Sequence, residues 1–293
     1  MTGKVRRVVA VEVMTPRMLD KMRESCRLAS ECLLMVGDQI RPGLTTLEIN
    51  ELVHRWIEEH GAYPSPLNYR GFPKSVCTSV NDCVCHGIPS DYALKDGDII
   101  NVDVTTFFPE KHGFHGDTSA TFYVGEPSED AKRVTEVSRR CLELGTAQVK
   151  HGARIGDIGA AIQEYAHAMN CSVVEDYVGH GVGRQFHMPP QVPHYGRRGS
   201  GDRMKSGWVF TIEPMINLGT HECELQSDGW TVLTADRALT AQFEHSILVT
   251  RSGCEVLTGR SRPLKNSEDA PWAELGELTT SAAFAARQPS SSG

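Results

Sequence analysis

The chain has 293 residues, 40% of them hydrophobic and 23% charged, with a formal net charge of −7. That length is ample to bury a core in one large or two ordinary domains, while the acidic balance speaks against nucleic acid as the main partner, since phosphate binding needs a basic face. No apolar run reaches the ~18 residues of a membrane span, and the N-terminal MTGKVRRVVAVEVMTPR offers only a brief Val-rich run broken by Glu12, so neither membrane insertion nor export is expected.

In chain order, Leu19, Met22, Cys26, Ala29, Leu33 and Met35 fall near one face and predict a helix from about Thr15 to Val36, which Pro42-Gly43 breaks. A second helix starts at Thr46 and closes by Gly61 and Pro64. SVCTSV, IINVDVT and ATFYV then read as strands by alternation and β-branching, and the turn-rich FPEKHG separates two of them. The first half is therefore two helices followed by antiparallel strands.

The second half repeats the scheme, beginning with a helix from about Glu129 to Val149 and with Gly152 in place of the Pro-Gly break. Gly152 to Met169 aligns with Gly43 to His60 without gaps, matching Glu48 and Ile49 to Asp157 and Ile158, and Trp56 to Tyr165, at an offset of 109. LKDGDIINVDV from Leu94 matches MKSGWVFTIEP from Met204 at an offset of 110, placing Lys95 on Lys205, Gly97 on Gly207 and Asp103 on Glu213. Nearly equal offsets predict two similar αβ halves, about 15–125 and 126–255, related by a pseudo-twofold inside a single domain spanning 1–258. A site is expected at their junction. From Gly259 the composition changes to RSRPLKNSEDAP and a Ser-rich end, so 259–293 reads as a disordered tail. Trp272, Leu275 and Leu278 are its candidates for transient docking, and Lys4, Arg6, Arg7, Arg197 and Arg198 read as solvated surface.

Five metal-loving side chains stand out in this frame: Asp103, Asp117, His180, Glu213 and Glu244. Asp103, Glu213 and Glu244 interrupt apolar, β-branched runs that each read as a strand (IINVDVT, VFTIEPM, QFEHSILVT), where a carboxylate is costly to bury unless paired or coordinating a metal. Strand parity puts Ile99, Asn101, Asp103 and Thr105 on one face, as it does Val209, Thr211 and Glu213. A hairpin brings Asp103 and Asp117 within cross-strand reach of a shared ion. Taken singly, Asp117 also reads as a turn cap and Glu244 as an arginine partner; jointly, four carboxylates and one imidazole suit two divalent ions, with Mn, Fe or Co better matched than a closed thiolate zinc site. Two ions about 3.5 to 4 Å apart hold a water and clamp both ends of a hydrolysis.

The remaining motifs are weaker. Gly179-His180-Gly181-Val182-Gly183-Arg184 lacks the spacings that cradle phosphates, and its glycines instead let backbone approach a cofactor closely. His86 and His187 are additional imidazoles near the expected cleft. The nine cysteines are odd in number and scattered, which predicts reduced thiols in a cytoplasmic protein, and Cys83 and Cys85 read as buried strand thiols rather than a zinc pair.

PKSVCTSVNDCVCHGIP, NVDVT with HGDTSATF, GHGVGRQFH, FTIEPM and QFEHS, in that order over about residues 15 to 255, closely resemble a type I methionine aminopeptidase. The resemblance implies the pita-bread α/β (α+β) fold, with an antiparallel sheet, two αβ repeats and a central dimetal site. It makes Asp103, Asp117, His180, Glu213 and Glu244 the ligands of two divalent ions (Co, Mn, Fe or Zn), with Asp117 and Glu244 spanning both. By the same resemblance Glu213 doubles as proton shuttle, His187 stabilises the scissile carbonyl and His86 bonds the leaving-side nitrogen. Tyr69, Phe72, Cys77, Phe186 and Trp230 would line a methionine pocket, whose apolar walls suit a thioether. The implied reaction is removal of N-terminal methionine from nascent chains with a small second residue, by a metal-activated water. A cytoplasmic monomer is expected, and ribosome contact is left open. The chain departs from many relatives in a longer 103–117 turn, in Met188 after the second histidine and in Pro66 where some have a cysteine. Alternatives are an X-Pro aminopeptidase or prolidase, which usually carries an N-terminal domain for which there is no room before Pro73, and a non-catalytic pita-bread binding module, which generally loses the ligands.

Overall fold

Thr15 opens the first helix, its hydroxyl accepting a hydrogen bond from the Met18 amide while Pro16 takes the first helical position, where its missing N–H costs nothing. The computed structural model describes residues 10–267. Lys4, Arg6, Arg7, Trp272, Leu275 and Leu278 lie outside the described residues. Helix α1 (Pro16–Gly37) buries Met22, Cys26, Ala29 and Leu33, the face that its spacing predicts. Helix α2 (Thr46–Glu59) starts on a capping box, in which Thr45 and Glu48 satisfy each other's backbone amides, and it buries Ile49, Val53 and Ile57.

Five strands follow in the first half, β1 (Tyr63–Pro64), β2 (Cys77–Val80), β3 (Cys83–Cys85), β4 (Ile99–Phe108) and β5 (Phe114–Tyr123), and the second half opens with α3 (Glu129–Thr146), α4 (Ile155–Ala168) and β6 (Ser172–Val173). The rest are β7 (Gly179–Gly181), β8 (Met188–Val192), β9 (Val209–Ile212), β10 (Met215–Asn217), β11 (Cys223–Leu225), β12 (Val232–Thr234), β13 (Thr240–Gln242), β14 (Glu244–Val249) and β15 (Cys254–Val256). The main sheet runs β1-β4-β5-β14-β9-β7-β8, with β2 added on β4 and β15 on β14, and its pairings are antiparallel. Two three-stranded sheets, β13-β10-β6 and β11-β12-β3, complete a mixed α/β fold.

On β4, Ile100, Val102 and Val104 enter the main core with Leu33, Ile57, Ile162 and Phe243, while Asn101, Asp103 and Thr105 alternate to the opposite face. The helices therefore cover one face of the sheet and leave the other to the polar residues. α1 lies close on this sheet because Gly116 has no side chain: a Cβ there would stand 2.4 Å from the carbonyl carbon of Ser25. Ser25 Oγ and Thr106 Oγ1 seal the same contact by bonding each other's carbonyls at 3.0 and 2.8 Å.

The gapless alignment has backbone counterparts. Gly43 and Gly152 take φ of +86° and +89°, and Gly97 and Gly207 both +91°, a region that favours glycine. Gly43 N donates to Leu94 O as Gly152 N does to Met204 O, and isolated bridges join Thr45 to Ala93 and Arg154 to Arg203.

Two expectations need correction. VFTIEPM and QFEHSILVT are not single strands: β9 stops at Ile212 and β10 restarts at Met215 in another sheet, because Pro214 has no N–H to continue a ladder. Phe243 alone separates β13 from β14, which also belong to different sheets. The expected tail does not begin at 259, since Arg260 and Leu264 are buried and Ser267 Oγ donates to Thr121 O at 2.7 Å. Those apolar and polar contacts order residues 259–267 as a strap over the sheet, and the remainder of the expected tail lies outside the described residues. No helix among the described residues is long and apolar enough to cross a membrane.

Candidate metal centre and substrate cavity

The β4–β5 hairpin pairs Asp103 with Ser119 and Thr105 with Asp117, so both aspartates project from the same face of adjacent strands. Thr105 Oγ1 donates to Asp117 Oδ1 at 2.7 Å. Asp103 Oδ1 is buried without a hydrogen-bond partner. Glu244, the first residue of β14, pairs with Ser119 on the other side of β5 and is 2% exposed. Two ladders thus converge three carboxylates.

His180 arrives from β7, between two glycines that close packing requires: a Cβ on Gly179 would stand 2.5 Å from Thr211 O and one on Gly181 would stand 2.1 Å from Pro189 O. Its Nδ1 lies 3.1 Å from the carbonyl of Gly181, which can only accept, so Nδ1 carries the proton and Nε2 keeps a free lone pair. That Nε2 is 3.6 Å from both Asp117 Oδ2 and Glu213 Oε1. Glu213 stands at the break between β9 and β10, held by Thr211 Oγ1 donating to Oε1 at 2.6 Å and Gln242 Nε2 donating to Oε2 at 3.3 Å. Its backbone N–H donates to His194 Nε2 at 3.0 Å. Ligand atoms of Asp117, His180 and Glu244 all lie within 4.8 Å of one another.

Burial pushes the Asp103 carboxyl up to about 7 and the Glu213 carboxyl up to about 8, and it raises Asp117 and Glu244 well above the carboxylate range, with mutual repulsion adding to each of the last two. Burial also holds His180 down at about 4, neutral near pH 7. Four carboxylates cannot all ionise in this volume without a cation. The oxygen-rich set with one deprotonated imidazole nitrogen, together with the orphaned Asp103 Oδ1, fits divalent metal.

Above these residues opens a cavity of about 310 Å³. All twelve residues singled out in the sequence line it: the five candidate ligands, His86, His187, Tyr69, Phe72, Cys77, Phe186 and Trp230. Phe72 meets Trp230 edge-on with ring centroids 5.2 Å apart, and His86 meets Trp230 and Tyr177 edge-on. His187 stacks on Tyr69 at 5.2 Å and lies 4.1 Å from the His180 ring. Burial keeps His86 at about 4 and His187 lower still. Both rings are neutral at pH 7 and have an N–H to donate.

Several participants escaped the sequence reading. Thr105 and Thr211 were visible only as polar strand positions, although their parity with Asp103 and Glu213 was the signal that they bond the ligands. Gln242 and Tyr177 line the cavity, and His194 holds the Glu213 amide from the QVPHYG stretch, where no pattern marks it. Cys83 and Cys85 are buried in β3, and all nine cysteines are free of disulfides.

A profile of metallopeptidase family M24 matches residues 20–251. Methionine aminopeptidase A of Synechocystis is 52% identical over 249 residues, covering 85% of this chain and 97% of the relative. Among solved structures, methionine aminopeptidase from Rickettsia prowazekii superposes with a TM-score of 0.83 at 48% identity, over 85% of this chain and all of that one (100%). The prolidase of Pyrococcus horikoshii shares the fold at 20% identity and a TM-score of 0.68, with 86% of this chain covering 65% of that one.

Proposed function

The chain belongs to metallopeptidase family M24 and within it to the type I methionine aminopeptidases of pita-bread fold, and we propose that it removes N-terminal methionine with the twelve cavity residues described above. The observation that carries this reading is the convergence of Asp103, Asp117, His180, Glu213 and Glu244 on the floor of one aromatic-walled cavity. Asp117, on β5, and Glu244, on the neighbouring β14, would be the ligands shared by a pair of ions, and the donor set suits Mn, Fe, Co or Zn. Divalent metal held there supplies Lewis-acid chemistry, lowering the pKa of a water and polarising a carbonyl.

The side chains supply the rest. Phe72, Cys77 and Trp230 form apolar walls that accept a thioether and orient the first residue. Glu213, held as the carboxylate by a divalent cation beside it, would take a proton from the attacking water and return it to the leaving nitrogen. His187, neutral, donates its N–H to the oxygen on which negative charge develops, and His86 bonds the nitrogen side of the scissile bond. With Tyr69 and His187 stacked in the cavity wall, a small second residue would pass where a long one meets the rings. The substrates are the N-termini of new polypeptides.

Turnover of paired peptides tests this. Protein reconstituted with Mn(II) should release methionine from Met-Ala-Ser at least ~10-fold faster than from Met-Lys-Ser, about the discrimination that a steric wall gives. Equal rates would overturn the small-residue preference, and faster cleavage of Ala-Pro-Ala would favour the X-Pro peptidase reading.

A further inference from the structure

The two sides of the metal cluster meet at a thin seam. β4 and β5 pair along ten residues each, and β14 and β9 share four register pairs, but β5 and β14 share only Glu244↔Ser119 and His245↔Thr118. Asp117 and Glu244 hang from that seam. Beneath it, on the face away from the cavity, lies Arg260, 1% exposed. Its Nη2 donates to Thr118 Oγ1 at 3.1 Å and to Ser119 O at 3.3 Å, and its Nη1 lies 3.3 Å from His245 Nε2. Three of the four seam residues are therefore bonded to one guanidinium.

The bonding is reinforced from both directions. Thr118 Oγ1 donates to Glu244 O at 2.8 Å, so the hydroxyl that Arg260 grips also ties β5 to β14. Arginine has only donors, so His245 Nε2 must accept and Nδ1 must carry the proton, which it gives to Thr258 Oγ1 at 2.8 Å. Thr258 immediately precedes the strap that carries Arg260, itself anchored by Leu264 in the core and by Tyr123 N donating to Asn266 O at 2.6 Å.

We propose that Arg260 is a positioning residue for the metal centre, clasping β5 to β14 from behind so that Asp117 and Glu244 stay in register for a divalent ion. The proposal rests on the metal-centre reading given above. A planar fork spans two strands where an ammonium would reach one, and supports behind metal ligands commonly account for 10–100-fold in affinity.

Calorimetric titration of the metal-free full chain with Co(II), read beside the visible absorption of the bound cobalt, tests it. Arg260→Met should weaken the cobalt Kd by about 10- to 100-fold and shift the absorption bands, which report ligand geometry. Ile57→Ala, a core deletion in α2, should lower Tm and leave both cobalt readouts unchanged. An Arg260→Met protein with wild-type Kd and spectrum would overturn the clasp, as would Ile57→Ala weakening cobalt equally. If Arg260→Met does not fold, Arg260→Lys decides: weakened binding supports the fork, and wild-type binding overturns it. No cobalt binding by the wild-type chain would sink the metal-centre reading and this inference together, an outcome distinct from equal binding by both.

Discussion

At the scale of single residues, the site is a problem in charge. Asp103 and Glu213 stand at equivalent places in the two aligned segments, yet their surroundings differ: Asp103 Oδ1 has no hydrogen-bond partner, whereas both oxygens of Glu213 accept one. Asp103→Asn should therefore act through metal, moving the Mn(II) titration of activity to higher concentration with a recoverable plateau. Glu213→Gln removes the proton acceptor, and its plateau should stay about 10²- to 10⁴-fold down at any metal concentration. Full activity of Glu213→Gln at high Mn(II) would refute the shuttle. The same carboxylates give the metal-free protein a distinctive pH response. Their folded pKa values are raised above the unfolded ones, so the stability they contribute is complete at low pH and is lost as pH rises through about 7 for Asp103 and about 8 for Glu213. The buried histidines have the opposite sign, because their depressed pKa values cost stability only below the unfolded value of 6.5. Between pH 6.5 and 8 the carboxylates act alone, and Tm of the metal-free protein should fall across that interval. A Tm flat or rising there would contradict the assigned shifts.

Elements were legible where local chemistry and tertiary packing agree. α1 and α2 begin at Thr15 and Thr45, ordinary capping residues, and their buried faces follow the apolar spacing of Met22, Cys26, Ala29 and Leu33. The strand parity around Asp103 was legible for the same reason. The breaks at Glu213-Pro214 and Phe243 were not, because a β-rich run reads as continuous whether its residues serve one sheet or two, and only the tertiary partners of β10 and β13 divide it. Gly116 shows the limit of sequence reading at this scale. Within HGDTSATF it resembles a turn glycine, but it lies inside β5 with α1 backbone 2.4 Å from where its Cβ would be. Gly116→Ala should overpack that contact and cost about 1–3 kcal/mol, seen as a lower midpoint in urea with an unchanged slope. An unaltered midpoint would mean that α1 moves away freely.

Across the whole molecule, the proposed centre takes Asp103 and Asp117 from one hairpin of the first αβ half and His180, Glu213 and Glu244 from the second half. The duplicated spacing made that convergence readable. The seam and its strap were hidden, because Arg260 and Leu264 follow the composition change at Gly259 that resembles the start of a tail. A site assembled only in the folded chain links metal binding to stability. The apolar core of Leu33, Ile57, Phe122, Ile162 and Phe243 is independent of the ligands, so the chelator-stripped protein should keep its far-ultraviolet circular dichroism. Returning Mn(II) should then raise the unfolding free energy as the logarithm of its free concentration, by about 2.7 kcal/mol at 100 times Kd. For a body of this size that is roughly 5–10 °C in Tm. His180→Asn takes away the one imidazole of the set and should flatten the dependence. If Tm of the wild-type chain ignores Mn(II) while calorimetry records its binding, the ion binds the unfolded chain equally well, and the five residues are not the centre that holds it.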